Sequence, residues 1–309
     1  MTNSRGKIMV WLMGMDEIEV EMPEEWGGIV PTEVFFQNAK QIVEEAQKRN
    51  IIIRVIGGMG IRMHSGEFDE LAKKLTRLEG EQEFTDLDFM TYSKYQKKTM
   101  PRFFEDYGNQ VYGKPFIKRR TTISSATTKR HIFYHPKGWY FIDMFYEILK
   151  FNHDIHFKDR LEIDPLTISV TDLLLGKLQI TEVFSGKDLK DSILLLRAHD
   201  VQEGIEENAI NATYVAELMA KDWGFYYSVT ENLKAIKEFA PGIDTLSESD
   251  ITNISAKIDK LLEIIDAVPK GMRWKARAKV GTKKQWYRPV ETDATVSGMS
   301  IWNLKETVK

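Results

Sequence analysis

The first half of the chain alternates helix-like and strand-like patterns of apolar positions. Apolar residues spaced three and four apart predict a helix at residues 32–48, and Pro31 lies at its start, where proline suits the first turn. Residues 51–56 are β-branched except for Arg54, and the length and composition of this run predict a buried strand that stops at Gly57 and Gly58.

The same alternation continues as far as residue 146. A helix is predicted at residues 67–78 and a strand at residues 84–90. Two more strands, at residues 130–134 and 139–146, flank a turn that contains proline and glycine, which is typical of paired strands. Strands that alternate with helices in this way predict a mixed α/β sheet.

The second half of the chain is mainly helical in its pattern. Its last predicted helix is the clearest, because its apolar residues share one face and Ser247 and Asp250 have the spacing of a capping box. From Gly271 to Val280 the pattern returns to period two, which predicts a strand, and the tail beyond Thr292 has little pattern. The predicted helices lie at residues 172–183, 188–199, 208–221, 229–239 and 247–268.

Composition narrows the chemistry that the chain can perform. Its 309 residues include no cysteine, which excludes disulfides, thiolate metal ligands and cysteine nucleophiles. A hydrophobic content of 42% supports a sizeable core, whereas a net charge of -3 does not by itself indicate a partner. Because no apolar stretch spans a bilayer and residues 1–15 lack the layout of a signal peptide, we expect a soluble, cytoplasmic protein without a membrane partner.

Three aspartates interrupt predicted strands. Asp86 and Asp88 are two residues apart, so they project from the same face of their strand, and Asp143 is the single charge in an apolar strand. If the two strands are neighbours, the three carboxylates form an oxygen-only site of the kind that suits magnesium or manganese. The alternative is that Asp86 and Asp88 lie on a solvated face or strand end.

Gly57 and Gly58 lie at the end of the first buried strand. Glycine lets the backbone approach an anion closely, and a helix that begins there would direct amide groups at a phosphate. A plain tight turn explains the same pair of residues.

The order of these elements resembles the nucleotidyltransferase fold, the superfamily of DNA polymerase beta. Residues 55–62, Val-Ile-Gly-Gly-Met-Gly-Ile-Arg, look most like the AbiEii-type branch, known for toxins of toxin–antitoxin and abortive-infection systems. Residues 172–179 and 187–191 are similar to that branch's lysine helix and the Arg-Asp-x-x-Asp helix that follows it. The resemblance covers roughly residues 51–199. Met59 replaces the usual serine or threonine, and Lys187 stands where arginine is commoner.

The resemblance implies a role for each motif. Nucleoside triphosphate would contact a group of residues around the glycine turn, and magnesium or manganese would bind the aspartates. The implied nucleotide-binding residues are Gly57, Gly58, Arg62, Lys177, Asp188 and Asp191, and the implied catalytic residues are Asp86, Asp88, Asp143 and Lys177. From the residues alone, Lys177 equally suits a lysine that reaches water, and Asp188 and Asp191 suit favourable charges near a helix start.

We therefore predict an α+β chain in three parts: an N-terminal extension at residues 1–30, a mixed-sheet nucleotidyltransferase domain at 31–168 and a helical domain at 169–309 that includes a basic terminal β-hairpin or strand and a tail. The expected activity is metal-dependent transfer of a nucleoside monophosphate to an RNA (including tRNA), protein or small-molecule acceptor. An antitoxin or a protein target is the partner that the toxin branch implies. The alternative is a non-catalytic nucleotide- or RNA-binding regulatory module on the same fold.

Two basic segments are candidates for binding an anionic partner. No acidic residue lies between Asp106 and Asp143, a stretch that includes Lys114 and Arg130 and a Ser/Thr-rich part typical of a loop. A second segment alternates Arg273, Lys275, Arg277 and Lys279 with apolar residues and continues to Trp286 and Tyr287. A solvated loop and an edge strand protected by charge are the respective alternatives.

The histidine pair and one arginine complete the candidates. His153 and His156 fit no standard zinc motif, so a structural or hydrogen-bonding role is favoured over a zinc-dependent hydrolase. Arg160 suits either a substrate contact or a salt bridge.

Overall fold

The computed structural model describes residues 8–10, 18–75, 83–119, 130–181 and 186–289. Strands are concentrated before residue 157 and helices after residue 169. The elements are β1 (Ile8–Val10), β2 (Ile18–Val20), α1 (Thr32–Lys48), β3 (Ile53–Val55), α2 (Gly57–Met63), α3 (Asp69–Lys74), β4 (Asp86–Thr91), α4 (Thr99–Tyr112), β5 (Ile117–Lys118), β6 (Arg130–Tyr134), β7 (Phe141–Tyr146), β8 (Ile148–Lys150), β9 (Asp154–His156), α5 (Val170–Leu178), α6 (Gly186–Ala198), β10 (Val201–Gln202), β11 (Ile210–Asn211), α7 (Ala212–Lys221), α8 (Trp223–Phe239), α9 (Glu248–Ala267) and α10 (Met272–Val280).

A five-stranded mixed sheet organises the first half, as the alternating pattern predicts. Its strand order is β3-β4-β7-β6-β5. β4 and β7 run parallel, whereas β3 pairs antiparallel with β4, and β6 pairs antiparallel with both β7 and β5. The predicted hairpin of β6 and β7 is confirmed, and the α+β class of the chain follows from this sheet and the helices after it.

The two faces of the sheet pack against different helices. Leu87 and Phe89 of β4 point into one core with α1 and α4. Met90, also on β4, belongs to a second core with α5 to α9, together with Phe145 of β7. Because side chains alternate along a strand, Asp86, Asp88 and Asp143 share the face that carries Met90 and Phe145. The three aspartates therefore lie on the side that the C-terminal helices cover.

That second core also includes residues on both sides of position 168. Ile56 and Ile61 of the sheet region pack in the same cluster as Leu173 and Leu174 of α5. Gly60 makes this close packing of α2 on α5 feasible, since a Cβ there would lie 2.9 Å from a methyl carbon of Leu173. The split into domains at residues 168 and 169 stays a prediction.

Helix α4 is absent from the sequence-based prediction. Its buried residues Met100, Phe103, Phe104 and Tyr107 have the spacing of an amphipathic helix, so the signal was present. Pro101 argues against a helix here, because proline usually ends one. It is tolerated at the third residue of α4, in the first turn, where an N–H would have no intrahelical acceptor.

The predicted terminal basic strand is wrong, because residues 272–280 form helix α10. Arginine, lysine, alanine and methionine all favour helices, and over nine residues a chance alternation imitates period two. Trp274 and Arg277, three residues apart, face α7 and α8: the Trp274 indole donates to the carbonyl of Met219 on α7 at 2.9 Å, and the Arg277 guanidinium lies 4.5 Å from the ring centre of Trp223 on α8. This packing requires a helix.

The other helices agree with the pattern, with shifted ends. α9 begins with the predicted capping box between Ser247 and Asp250. α8 begins earlier than predicted, because the Asp222 carboxylate accepts hydrogen bonds from the first amides of the helix. None of the described helices combines the length and the apolar character that a membrane crossing needs. The predicted loop around Ser124, Ser125, Thr127 and Thr128 and the tail beyond Thr292 lie outside the described residues.

Candidate active site

Two neighbouring strands carry three aspartates at one level of the sheet. Asp88 on β4 is directly opposite Asp143 on β7, and Asp86 lies two residues before Asp88 on the same face. One carboxylate oxygen from each of the three lies within 4.8 Å of the others. Asp143 is buried and the other two are half-buried. The donor set is oxygen only, which suits Mg²⁺ or Mn²⁺ rather than Zn²⁺.

The glycine turn lies directly against this carboxylate group. Gly57 has a φ of +64°, in the left-handed region, and a Cβ at this position would lie 2.5 Å from Oδ2 of Asp88. The backbone N–H of Ile56 donates to the carbonyl of Asp88 at 2.9 Å, which fixes the turn to the strand. Helix α2 begins at Gly57, so of the two interpretations that the sequence left open the structure has the strand-to-helix turn. A side chain larger than hydrogen at position 57 would require the Asp88 carboxylate to move.

Arg130 contacts the carboxylate group, a role that the sequence did not indicate. Its guanidinium donates to Oδ2 of Asp143 at 2.7 Å, and both side chains are largely buried. Arg130 lies on β6 two residues before Ile132, which is opposite Asp143 in the antiparallel ladder. The register of the predicted hairpin was the one signal for this contact, since diagonal neighbours on one face lie within reach of a long side chain.

Lys177 links α5 to α6 through two ion pairs. Its Nζ atom lies 3.1 Å from Oδ1 of Asp188 and 2.8 Å from Oδ2 of Asp191. All three side chains are largely buried, with Lys177 only 13% exposed. The structure therefore brings together the lysine and the two aspartates of the motif that the resemblance singled out, and it excludes the alternative in which Lys177 only extends into water.

The remaining predicted nucleotide-binding residues line one small depression. Gly58, Arg62 and Asp191 contribute to its wall, with Glu83 and Lys190 beside them. Gly58 directly follows Gly57, the glycine that lies against Asp88. One wall of the depression is therefore a single residue along the chain from the residue that touches the carboxylate group. Asp191 in turn joins it to the Lys177 cluster.

Arg62 is held by its own acidic partners. Its guanidinium donates to Glu83 at 2.9 Å and to Ser65 at 2.8 Å, and it also pairs with Asp69. The hydrogen bonds and the two carboxylates raise the pKa of Arg62 even though burial opposes the charge. Arg62 thus braces the wall of the depression, and its contact with nucleotide stays a prediction.

Arg160 forms salt bridges, one of the two roles that the sequence allowed. Its guanidinium donates to Asp172 at 2.9 Å and to Glu206 at 3.1 Å, and it lies 3.6 Å from the ring centre of Tyr214. Burial raises the pKa of Asp172 to about 6, while Arg160 and Ser169 oppose that rise. The cluster joins the start of α5 to the loop before α7.

The basic segment between Asp106 and Asp143 is partly neutralised within the described residues. Lys114 pairs with Glu21 of the N-terminal region, and Arg130 pairs with Asp143. The sequence gap in acidic residues therefore overstates the net positive charge around the described part of this segment. Arg120 and Lys129 lie outside the described residues.

His153 has the hydrogen-bonding role that the sequence favoured. Its Nε2 atom lies 2.9 Å from the Ser228 hydroxyl, and its ring stacks on Phe225 with centres 5.0 Å apart. Within the described residues, the acidic and histidine side chains close enough to share a metal ion are Asp86, Asp88 and Asp143. The zinc alternative has no support in this part of the chain.

The burial of His153 predicts a loss of stability in mild acid. Burial lowers its pKa from 6.5 to about 4, so the folded protein binds fewer protons than the unfolded chain between these values. The stabilising contribution is fully present above pH 6.5 and is lost as the pH falls toward 4, by up to about 3 kcal/mol. Urea unfolding at pH 7.5 and 5 measures this loss.

The matched variants are His153→Gln, which keeps a polar atom near Ser228, and His156→Gln at an exposed position three residues further on, in β9. We expect the pH dependence of the unfolding free energy to become shallower only in His153→Gln. Equal slopes in both variants and the wild type would show that His153 does not carry the effect.

Comparison of the chain with protein-family models, with curated proteins and with solved structures finds no match. The geometry of the site therefore has to carry the functional argument.

Proposed function

We propose that this chain is a metal-dependent nucleotidyltransferase. It moves a nucleoside monophosphate from a nucleoside triphosphate to an acceptor and releases pyrophosphate. The observation that carries the proposal is the placement of Asp86, Asp88 and Asp143, whose carboxylate oxygens lie within 4.8 Å of one another on adjacent strands. Three carboxylates at this separation repel one another, and a divalent cation offsets that repulsion.

The donor set fits Mg²⁺, with Mn²⁺ as the alternative. Asp86, Asp88 and Asp143 would hold the ion, since they offer oxygen ligands alone. When bound, the ion supplies charge neutralisation at the departing pyrophosphate and makes the attacking hydroxyl more acidic. The ion pair between Arg130 and Asp143 keeps that carboxylate in place.

In the proposed reaction the oxygen of an acceptor hydroxyl attacks the α-phosphorus of the nucleoside triphosphate. A new phosphorus–oxygen bond forms, and the bond between the α-phosphorus and the bridging oxygen breaks, with its electron pair leaving on pyrophosphate. Asp143, which would also contribute to the metal site, is the candidate for orienting the hydroxyl or accepting its proton, since the Arg130 ion pair fixes its carboxylate. Asp86 and Asp88 act as metal ligands.

The triphosphate is assigned to the side of Gly57 and Gly58. Gly57 brings the backbone against Asp88, so phosphate groups beside this turn also lie beside the carboxylates. Lys177 would lie near the phosphates, and Asp188 and Asp191 fix its position through two ion pairs. The nucleotidyltransferase fold itself belongs to this proposal and is supported by the order of these elements along a mixed sheet.

The acceptor class comes from resemblance. An RNA or tRNA end, a protein side chain and a small molecule all offer a hydroxyl, and the toxin branch implies RNA or protein as target and an antitoxin as partner. A toxin-like enzyme is therefore the form of the proposal that we favour.

Turnover with each α-labelled nucleoside triphosphate tests the proposal. Purified protein is incubated with total RNA, cellular protein or a small-molecule extract, with Mg²⁺ or with excess chelator. We expect label in one acceptor fraction and pyrophosphate release, both only with Mg²⁺. Absence of pyrophosphate with every nucleotide and acceptor, despite Mg²⁺-dependent nucleotide binding, would favour the non-catalytic binding module.

A further inference from the structure

A concentration of positive charge lies near the end of the described chain. Between Asp266 and Glu291 there is no acidic residue, although the chain as a whole carries a net charge of -3. We call five exposed cations of this segment the α10 surface; they are Arg273, Lys275, Lys279, Lys283 and Lys284. Arg288, which is also exposed, pairs with Asp154 and is not included. In the part of the chain that the structure describes, no carboxylate pairs with any of these five side chains.

Contacts with α7 and α8 hold helix α10, and therefore the backbone of the α10 surface, in place. Trp274 and Arg277 face α7 and α8, while Arg273, Lys275 and Lys279 of the same helix are exposed to solvent. Arg277 also donates to the carbonyls of Gly281 and Lys284, each at 2.7 Å, which fixes the turn after the helix. A cationic face held in place by its own packing loses little conformational entropy when an anion binds.

The segment after α10 is anchored as well. The Trp286 indole donates to Ser228 at 3.1 Å, and the amide of Arg288 donates to the carbonyl of Asn152 at 2.9 Å. A Cβ on Gly224 would lie 2.4 Å from the Trp286 carbonyl oxygen, which shows how closely this segment packs on α8. Trp286 and Tyr287 are half-buried and meet edge to face, with ring centres 5.0 Å apart.

We propose that the α10 surface binds the phosphate backbone of single-stranded RNA. A row of exposed lysines and arginines matches a polyanion, and adjacent Trp286 and Tyr287 offer ring faces on which a base can stack. A lipid surface fits less well, because membrane-bound helices direct large apolar side chains outward. In α10 the one tryptophan, Trp274, faces inward, and the exposed large apolar side chains, Met272 and Val280, lie at opposite ends of the helix and form no continuous apolar face.

This binding goes beyond the transfer reaction, since the α10 surface includes none of the three aspartates. That RNA is the acceptor of the transfer rests on the proposed function, whereas RNA binding by α10 does not. The two ideas therefore fail separately.

The test measures binding of fluorescein-labelled oligouridine to the full-length chain by anisotropy at several salt concentrations. The variant is Arg273→Gln/Lys275→Gln/Lys279→Gln, and the control Lys40→Gln/Lys48→Gln/Lys97→Gln removes the same charge from exposed sites on and near α1 and α4. We expect the variant to bind at least about 10-fold more weakly, with the salt slope reduced by about 2, and the control to change less than about 2-fold.

Three results would overturn the proposal: no saturable binding by the wild type, equal loss in the control, or loss on phosphatidylserine vesicles without loss on RNA. The last of these would assign the surface to anionic lipid. Asp86→Asn/Asp88→Asn is expected to keep full RNA affinity, so that a failed transfer reaction leaves the binding result intact. Thermal unfolding of each variant establishes that the exposed substitutions leave the fold unchanged.

Discussion

Asp86→Asn/Asp88→Asn is expected to lower the rate of nucleotidyl transfer by about 1,000-fold or more. Asparagine keeps the size of each side chain but removes the charge that a divalent cation requires, and metal stabilisation of this reaction is worth several kcal/mol. Label transfer from the accepted nucleoside triphosphate, at saturating Mg²⁺, measures the effect.

The same variant is expected to unfold at an equal or higher temperature than the wild type when no divalent metal is present. Asp86 and Asp88 lie within 4.8 Å of Asp143, so neutralising them removes repulsion between like charges. Asp106→Asn/Asp244→Asn removes two exposed carboxylates elsewhere and serves as the control. Transfer that survives in the site variant, or falls equally in the control, would rule out a catalytic role for the carboxylate group.

Gly57→Ala is expected to reduce transfer by about 100-fold and to lower the free energy of unfolding by roughly 1–3 kcal/mol. Alanine is strained at a φ of +64°, and its Cβ would lie 2.5 Å from Oδ2 of Asp88. The Asp88 carboxylate therefore has to move away from its partners. Label transfer and urea unfolding measure the two effects.

Gly113→Ala separates strain from contact. Gly113 has a φ of +70°, but a Cβ there meets no atom within 4 Å, so the substitution carries the backbone strain alone. We expect it to lower stability by about 1 kcal/mol and to leave transfer unchanged. If both variants kept wild-type transfer, the glycine turn would not position Asp88.

The alignment of the three aspartates was accessible to sequence reasoning because strands impose simple rules. Alternation along β4 places Asp86 and Asp88 on one face. The lone carboxylate of Asp143 in an apolar strand called for a partner group, which a neighbouring strand with Asp86 and Asp88 would provide. The structure adds what periodicity does not provide, namely the parallel pairing that sets Asp88 opposite Asp143. Pairing partners depend on the whole sheet, and local patterns do not fix them.

Contacts between distant segments were beyond the sequence. Arg130 appeared as one of several cations in a basic stretch, although it pairs with Asp143 across the hairpin. The sequence allowed Arg160 either a substrate contact or a salt bridge, and only the fold shows that Asp172 and Glu206 lie close enough to pair with it. The basic segment after Gly271 was predicted as a strand from nine residues of alternation. It forms a helix, because the packing of Trp274 and Arg277 on neighbouring helices outweighs that short pattern.

Titration with Mn²⁺, followed by the loss of the free-ion signal in electron paramagnetic resonance, tests the carboxylate site most directly. We expect saturable binding to the wild type and to Asp106→Asn/Asp244→Asn, competition by Mg²⁺, and affinity at least about 10-fold weaker in Asp88→Asn. Binding of equal strength in Asp88→Asn, or none in the wild type, would contradict a metal site at Asp86, Asp88 and Asp143.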